Sequence, residues 1–468
     1  MTFVLTWMGL AFANEDAWER CYPKGYSEEA WCQIFEVPIS SDSTDTLSLS
    51  VVKLPAIRPN PKADPLIFIA GGPGQSAIDN IAFASQAMRT IQRERDVLFI
   101  DQRGTGQSSP IECQTPQINP DQWSSDSTLN DYNDAMVRCL QQSPIPLSYF
   151  GSKYAVQDIE FVRKTLKLDQ INLYGVSYGT RVAQVYMRRF PEHSRAVILD
   201  GVVPMDEPIG QEFKKHAQGV LNQLEKECRQ DEACTELTDS LTGDLEMVLK
   251  NLKQEPNILA PNPSTGTMTT YQLSPEIVMS GIRLALYSPL LQRMLPYTIS
   301  EAKKGHFTPL LAQTIQPSQR LEEGLSSGLY YAIYCTEDYP RLQPDIDKVS
   351  TVMDVLTSKQ ADDICGQIQQ PAIDARFFEP ITSDIPVLMT SGARDPITPP
   401  ALAEKAGKEL SNAQYIVAPQ AAHNVGLEMC AAKLLGQFIA NPNEVASSSC
   451  IENADAKPWV TNTSGASP

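Results

Sequence analysis

The stretch Ile171-Asn-Leu-Tyr-Gly-Val-Ser-Tyr-Gly-Thr180 decides which fold the chain is predicted to adopt. Its apolar run from Ile171 to Tyr174 is typical of a buried parallel strand. The following residues fit the pattern G-x-S-x-G, and residues 181–189 then show a helical pattern. A serine on such a strand-to-helix turn, flanked by small residues, is held above the sheet edge, where a substrate carbonyl can reach it. The context therefore predicts that Ser177 is a nucleophile rather than an ordinary loop serine.

Short apolar runs alternate with helical patterns on both sides of this stretch. Strands are predicted over residues 66–70, 97–101, 171–174, 196–200, 385–391 and 413–418. This alternation favours right-handed βαβ units and an α/β fold with a mostly parallel sheet and helices on both faces. Between the fourth and fifth of these strands the pattern is mostly helical, which predicts a helical cap inserted into one domain. The predicted units are a core over residues 14–205 and 381–452, a cap over 206–380 and a disordered tail over 453–468.

Composition and charge restrict the class of protein. Of the 468 residues 42% are hydrophobic, which is enough for a sizeable core. The chain has 38 Lys and Arg against 56 Asp and Glu, and the net charge of -18 argues against a nucleic-acid surface. No segment reaches the roughly 18 consecutive apolar residues that a membrane span needs.

The chain contains ten cysteines, an even number, and they occur as near neighbours along the sequence. The absence of C-x-x-C and the presence of only 4 histidines argue against a zinc site. Neighbouring cysteines therefore indicate disulfides formed in an oxidising compartment. The pairing hypothesis joins near neighbours: Cys21–Cys32, Cys113–Cys139, Cys228–Cys234, Cys335–Cys365 and Cys430–Cys450.

The first 13 residues resemble a signal peptide. Phe3 to Phe12 is an apolar run, and Ala11-Phe12-Ala13 fits an A-x-A cleavage signal. No Lys or Arg precedes the run, so a misplaced start or a buried N-terminal strand are the alternatives. Together with the cysteines, this segment predicts a periplasmic or secreted protein.

A nucleophilic serine needs a base that accepts its proton. After a G-x-S-x-G turn the chain order is serine, then acid, then histidine, with the histidine after the last strand. His193 follows the serine too closely, and His216 and His306 lie in the predicted cap. His423 alone follows the final predicted strand, so it is the predicted base.

The predicted acid is Asp395, in the loop that leaves the strand over residues 385–391. Pro396 and Pro399 stiffen this loop, which neighbours the histidine loop in the expected order. Asp200, at the end of an earlier strand, is the rival candidate, and its other interpretation is a turn or cap residue.

An oxyanion needs backbone N–H donors, and Ala70-Gly-Gly-Pro-Gly74 follows an early strand. We expect one donor to be Tyr178, directly after the serine, and the other to be Gly72, with Gly74 as the second choice. Pro73 has no N–H and is excluded. The loop lacks the Gly-Lys-Ser/Thr of a phosphate cradle, and neither a metal nor an organic cofactor is implied.

Five motifs together resemble a known family. Gly71–Gly74, Asp101–Ser108, Gly175–Gly179, Gly392–Asp395 and His423 look like the proline iminopeptidase and tripeptidyl aminopeptidase family of α/β-hydrolase serine peptidases. The resemblance covers residues 60–205 and 381–440, and the large cap and the cysteines are closer to the tripeptidyl aminopeptidase branch. Ala70 stands where many relatives have His, and Tyr178 stands where smaller iminopeptidases often have Trp.

The resemblance implies an α/β-hydrolase fold and an exopeptidase that acts at a free N-terminus. Such an enzyme must bind an ammonium group, and a carboxylate in the cap is the physical requirement. Glu337, or else Asp338, is the candidate for amine binding, with Cys335 holding the segment in place if it is bridged to Cys365.

The sequence thus predicts an exported serine aminopeptidase that releases proline or a short peptide from peptide substrates. It indicates no obligate partner. One alternative is an exported carboxylesterase or lipase with the same triad. A non-enzymatic binding protein on this fold is disfavoured, because all three triad positions are filled.

Overall fold

The computed structural model describes residues 18–116, 126–314, 324–344, 351–356, 359–369, 373–428 and 430–466. The predicted signal peptide over residues 1–13 lies outside this part of the chain. Among the described helices, none is both long and apolar enough to cross a membrane.

A mixed sheet of nine strands forms the centre of the described structure. The strands of the chain are β1 Glu19–Cys21, β2 Ala30–Pro38, β3 Thr46–Leu54, β4 Leu66–Ile69, β5 Val97–Ile100, β6 Ile171–Val176, β7 Ser194–Asp200, β8 Asn257–Pro261, β9 Met268–Gln272, β10 Val387–Gly392, β11 Ala413–Ala418, β12 Val460–Asn462 and β13 Gly465–Ala466. The sheet order is β1-β2-β3-β5-β4-β6-β7-β10-β11. The first three strands join antiparallel, and every pair from β5 to β11 in this order is parallel. The predicted α/β fold with a mostly parallel sheet is therefore confirmed.

Helices cover both faces of the sheet and build the cap. The α-helices of the core are Ile81–Ala87, Arg89–Gln92, Asp126–Gln141, Ser152–Thr165, Tyr178–Arg189, Pro400–Gly407, Ala431–Ala440 and Ser449–Glu452. Those of the cap are Phe213–Cys228, Glu232–Thr235, Leu241–Gln254, Pro275–Ala285, Pro289–Lys303, Ser327–Ile333 and Lys359–Cys365, and residues 308–314 are also helical. Single turns of 3₁₀-helix are Leu147–Phe150, Pro191–His193, Tyr339–Arg341, Val352–Val355, Ala375–Phe378 and Val425–Leu427, and Tyr334–Asp338 forms a π-helical turn.

The central strands are apolar throughout because both of their faces are covered. Along β4, Ile67 and Ile69 pack into the core cluster on one face, whereas Leu66 and Phe68 pack into the cluster on the other. Successive side chains of a strand point to opposite faces, so this alternation places a hydrophobic layer on each side of the sheet. The chemistry is thereby left to the loops at the ends of the strands.

The cap enters between two strands that are neighbours in the sheet. β7 ends at Asp200, β10 begins at Val387, and the two pair in parallel with Val387 opposite Val197. The insertion therefore leaves the sheet continuous and emerges at its carboxyl edge, above the predicted site. Within the predicted range the cap also contains the hairpin of β8 and β9, so it is not purely helical.

The cap consists of two parts with different hydrophobic surroundings. Residues between 217 and 311 share a separate cluster, in which Leu221, Leu249 and Ile299 are almost fully buried. The segment 329–335, by contrast, joins the core cluster of the sheet, as Leu329 and Ile333 do, whereas Val352 and Met353 belong to the separate cluster. The first part is thus a lobe with its own core, and the second part is fixed to the domain below it.

All five predicted disulfides are present: Cys21–Cys32, Cys113–Cys139, Cys228–Cys234, Cys335–Cys365 and Cys430–Cys450. No cysteine is left free within the described residues. Near-neighbour pairing was therefore the correct hypothesis, and it is consistent with an oxidising compartment.

The C-terminal segment differs from the predicted disordered tail. Its described residues form the small hairpin of β12 and β13, and Trp459 is only 5% exposed. The indole packs into the separate cluster of the cap, and the guanidinium carbon of Arg293 lies 4.1 Å from its ring centroid. The small polar residues around it suggested disorder, but one large aromatic side chain is enough to anchor the segment.

Candidate active site

Ser177 occupies the predicted turn between β6 and the helix Tyr178–Arg189. Its φ of 54° lies in the left-handed region, which is strained for a residue with a side chain. A Cβ on Gly179 would lie 2.3 Å from the carbonyl oxygen of Ile69, so only glycine permits this close packing of helix and strand. The N–H of Ser177 donates to the carbonyl of Asp200 at 2.9 Å, which ties the turn to the end of β7.

The structure brings His423 and Asp395 together. Nδ1 of His423 lies 2.8 Å from Oδ2 of Asp395, and both side chains are buried. A carboxylate only accepts hydrogen bonds, so Nδ1 donates and Nε2 is left free to accept a proton. The other carboxylate oxygen accepts the N–H groups of Ile397 and Thr398, each at 2.8 Å. Four donors thus fix the orientation of Asp395, because the Thr398 hydroxyl also donates to Oδ2 at 2.7 Å.

Opposing effects set the ionisation of this pair. Burial by itself raises the pKa of the Asp395 carboxyl, but the neighbouring His423 and the backbone donors hold it below its ordinary value. Burial lowers the pKa of the His423 imidazole, but the Asp395 carboxylate raises it to a net value above the ordinary one. The pair is therefore stabilised with Asp395 charged, which is the state that can orient an imidazole.

Ser177 and His423 both lie beside the carboxyl end of β7. The serine N–H bonds to Asp200, the last residue of β7, and a Cβ on Gly201 would lie 3.2 Å from Cε1 of His423. The carboxyl edge of a parallel sheet is where α/β proteins place reactive groups. The His423–Asp395 pair and the turn of Ser177 thus lie at the same edge of the sheet, and their action as a catalytic triad stays a prediction.

Asp200, the rival acid, has a different environment. Its carboxylate accepts hydrogen bonds from the hydroxyls of Tyr174 and Thr390, both at 2.9 Å, and from the N–H groups of Val425 and Gly426, both at 2.8 Å. Burial raises the pKa of this carboxyl, and the four donors oppose that effect. Asp200 therefore holds the backbone that follows His423, and the imidazole bonds to Asp395 instead.

The glycine loop lies directly above the serine. A Cβ on Gly71 would lie 3.0 Å from Cβ of Ser177, so the backbone of the loop passes close to the hydroxyl. Gly72 has a φ of 104° and Gly74 a φ of 98°, conformations that favour glycine. The N–H of Tyr178 is in the first helical turn and has no acceptor within its own helix. The glycine loop thus approaches Ser177 through Gly71, and the role of the N–H groups of Gly72, Gly74 and Tyr178 in oxyanion binding stays a prediction.

Sequence reasoning missed two side chains that touch the histidine. The Thr398 hydroxyl lies 3.2 Å from Nδ1 of His423, and the ring of Tyr287 meets the imidazole edge to face, with centroids 5.1 Å apart. Thr398 follows Asp395 by three residues, a spacing at which a hydroxyl commonly bonds locally, so a signal existed. Tyr287 comes from the cap, more than a hundred residues earlier, and no local pattern indicates it.

The structure argues against the predicted amine-binding role of Glu337 and Asp338. Asp338 is 0% exposed, accepts two hydrogen bonds from Arg181 at 3.0 and 2.9 Å, and also accepts the N–H of Ile209. Glu337 is 2% exposed and accepts both the N–H and the hydroxyl of Ser152. Burial raises the pKa of Glu337, which Arg181 opposes. Both carboxylates are thus occupied by internal partners, so they tie the cap to the core rather than facing a ligand.

The fold and the site define a serine hydrolase of the α/β type. Residues 64–428, most of the chain, match the family model of the alpha/beta hydrolase fold, and the chain belongs to that family. Among the described residues, no group of three His, Cys, Asp or Glu side chains is arranged to hold a metal ion.

Three proteins with similar sequences carry names that describe different hydrolase activities. Serine protease Hip1 of Mycobacterium tuberculosis (strain ATCC 25618 / H37Rv) is 26% identical over 420 residues, which cover 82% of this chain and 79% of Hip1. Tripeptidyl aminopeptidase of Streptomyces coelicolor is 28% identical over 151 residues, 30% of this chain and 28% of that protein. Carboxylesterase B of Mycobacterium tuberculosis (strain CDC 1551 / Oshkosh) is 32% identical over 253 residues, 49% of this chain and 48% of that protein. The predicted resemblance to α/β-hydrolase serine peptidases is confirmed.

Proposed function

We propose that this protein is a serine exopeptidase that hydrolyses peptide bonds near a free N-terminus through an acyl-enzyme. The observation that carries the proposal is the bond of 2.8 Å between His423 and Asp395 at the strand end that also holds the turn of Ser177. The similarity to Hip1 over most of both chains supports a peptidase, and the shorter match to tripeptidyl aminopeptidase supports the exopeptidase type.

In this mechanism Oγ of Ser177 attacks the carbonyl carbon while Nε2 of His423 accepts the hydroxyl proton. Asp395 stabilises the imidazolium that forms. The tetrahedral intermediate then collapses: the peptide C–N bond breaks, and His423 gives its proton to the leaving amine. Water attacks the acyl-enzyme by the same route, with His423 as base, and releases the new carboxyl group together with Ser177.

Backbone donors stabilise the oxyanion of both intermediates. In the proposal these are the N–H of Tyr178 and an N–H of the glycine loop, from Gly72 or, as the second choice, Gly74. One such donor is typically worth about 3–4 kcal/mol of transition-state stabilisation. Backbone groups suit this role because the fold fixes them before substrate binds.

The proposed location is the periplasm or the exterior of the cell. Five disulfides support it, because such bonds form and persist in oxidising compartments. The proposed ligands are peptides with a free N-terminus, with no obligate protein partner. The acid that would bind the ammonium group is left unassigned, since Glu337 and Asp338 have internal partners.

Hydrolysis assays test this function directly. The protein is supplied with Pro-, Ala-Ala-Pro- and N-blocked peptide anilides and with short acyl esters, and Ser177→Ala serves as the control. We expect the free-amine anilides to be cleaved and the Ser177→Ala variant to lose about 10⁴-fold or more in kcat. Cleavage of blocked peptides alone would reject the aminopeptidase type, and equal activity of the variant would reject Ser177 as nucleophile.

A carboxylesterase is the second candidate function. It is favoured by the match to carboxylesterase B, whose identity of 32% is the highest of the three relatives above. The same triad and oxyanion donors act on an ester, where the leaving group is an alcohol and needs less help from His423. Turnover of short acyl esters without turnover of any peptide would establish this function in place of the first.

A further inference from the structure

Arg283 contacts Tyr287, whose ring packs against the candidate base His423. It is on the helix Pro275–Ala285 of the cap, and its Nη1 donates to the hydroxyl of Tyr287 at 3.2 Å. The ring of Tyr287 in turn lies against His423, at 5.1 Å between centroids. Tyr287 thus contacts both the guanidinium of Arg283, through its hydroxyl, and the imidazole of His423, through its ring.

The charge of Arg283 also acts on a tyrosine that borders the glycine loop. The backbone nitrogen of Tyr330 lies 3.2 Å from where a Cβ on Gly74 would be, so Tyr330 borders this loop. Burial raises the pKa of Tyr330 to about 12, and Arg283 is close enough to lower it in part. The ring of Tyr330 stacks on Tyr334 at 5.6 Å, with planes only 10° apart. Arg283 thus contacts Tyr287 on the His423 side, and its charge also acts on Tyr330 beside the glycine loop.

The charge of Arg283 is not neutralised within the described structure. It makes no salt bridge there, and Tyr287 is its one hydrogen-bond partner. The acids nearest to these tyrosines are already paired, Asp395 with His423 and Asp338 with Arg181. The side chain is partly buried, and its remaining N–H groups form a planar fork that matches a carboxylate.

We propose that Arg283 is a specificity-determining residue that binds a carboxylate of the substrate, either a C-terminal carboxylate or an acidic side chain. The contacts through Tyr287 place this carboxylate within about three extended residues of the scissile bond, because extended chain spans roughly 3.3–3.6 Å per residue. The preferred substrates are thus short or acidic peptides. This inference rests on the proposed hydrolysis of peptides. The binding of a carboxylate, however, can be measured without any hydrolysis.

Binding and turnover are measured on matched pairs. In the Ser177→Ala background, calorimetry compares Ala-Ala-Ala-Ala with a free C-terminus and the same peptide as an amide. With the active protein, kcat/KM compares Glu-Ala-Ala- and Gln-Ala-Ala-anilides. The first pair tests a terminal carboxylate and the second tests an acidic side chain. We expect at least one pair to show about a tenfold or greater preference for the acid, as for a hydrogen bond between charged groups.

Substitution of the cap arginine then tests its part in that preference. Arg283→Gln should remove the preference for the acid in each matched pair, and Arg283→Lys should restore part of it. Lys250→Gln, an exposed residue of the cap with the same change of charge, is the matched control and should keep the preference. Equal affinity for acid and amide together with no preference between the anilides, or a preference that persists in Arg283→Gln, would overturn the inference. If peptides bind by their carboxylate but are not cleaved, the hydrolysis proposal fails and the role of Arg283 stands.

Discussion

At the imidazole of His423, burial and charge act in opposite directions. Burial lowers its pKa, but the Asp395 carboxylate raises it above the ordinary value. A general base must be neutral to accept a proton, so the protonated form is inactive. The kcat/KM of the free enzyme should therefore fall as the pH falls through this raised pKa.

Replacing Asp395 by Asn should change the pH at which kcat/KM falls on the acidic side of its profile, the acidic limb. The substitution removes the charge that stabilises the imidazolium, so we expect the apparent pKa to shift to lower pH. The kcat should also fall by about 10⁴-fold, because the amide no longer holds the imidazole in the correct tautomer. The measurement is the pH profile of kcat/KM for both proteins. Asp374→Asn, at a surface ion pair, is the control, and a limb that stays in place in Asp395→Asn would contradict the predicted pairing.

The order of residues along the chain predicts some members of the site but not others. Ser177, Asp395 and His423 could be predicted because each follows a strand, and strand ends meet at one edge of a parallel sheet. Tyr287 and Arg283 could not, because they reach the site from the cap through tertiary packing. The same limit misled the choice of amine-binding acids: the sequence shows Glu337 and Asp338, but not the buried Arg181 that pairs with them.

At the scale of elements, a buried ion pair joins the nucleophile helix to the cap. Arg181, four residues after Ser177 on the helix Tyr178–Arg189, is 0% exposed and binds Asp338 of the π-helical turn in bidentate fashion. The disulfide Cys335–Cys365 ties this turn to the helix Lys359–Cys365. The part of the cap after residue 324 is thus held by charge as well as by apolar packing.

Removing one partner of this pair should destabilise the fold without changing substrate choice. In Asp338→Ala the buried guanidinium of Arg181 loses its bidentate partner and keeps only the longer ion pair with Glu337, at 3.6 Å. Removal of one partner from a buried ion pair typically costs about 3–5 kcal/mol of unfolding free energy. Urea denaturation measures that loss, and the kcat/KM ratio of free-amine to N-blocked anilides measures the choice of substrate. Glu29→Ala, which removes a surface pair with Arg20, should cost less than about 1 kcal/mol. A stable Asp338→Ala variant that loses only its preference for free amines would instead restore the amine-binding role.

Over the whole molecule, the chain crosses between core and cap more often than the sequence indicates. The alternating runs predict the sheet well, because strands covered on both faces are apolar throughout. The tail predicted from residue 453 was the main error: it follows Cys450, which is bonded to Cys430, and its Trp459 packs into the separate cluster of the cap. Composition averages over a segment, so one anchoring side chain is invisible to it. The lobe over residues 217–311 is therefore joined to the core by this tail as well as by its own two connections.

Trp459→Ala should loosen the cap lobe selectively. The substitution removes a buried indole and its contact with Arg293, and such a truncation typically costs about 3–5 kcal/mol. Among the hydrophobic clusters of the described residues, the indole belongs to that of the cap, so local opening should become easier there and not in the sheet. Hydrogen exchange by mass spectrometry should show faster exchange in the helix Pro289–Lys303 and unchanged exchange in β6. Val445→Ala, at a side chain 92% exposed, should leave both unchanged. Equal acceleration in β6 would show instead that cap and core open as one cooperative unit, because the tail would then stabilise the domain as a whole.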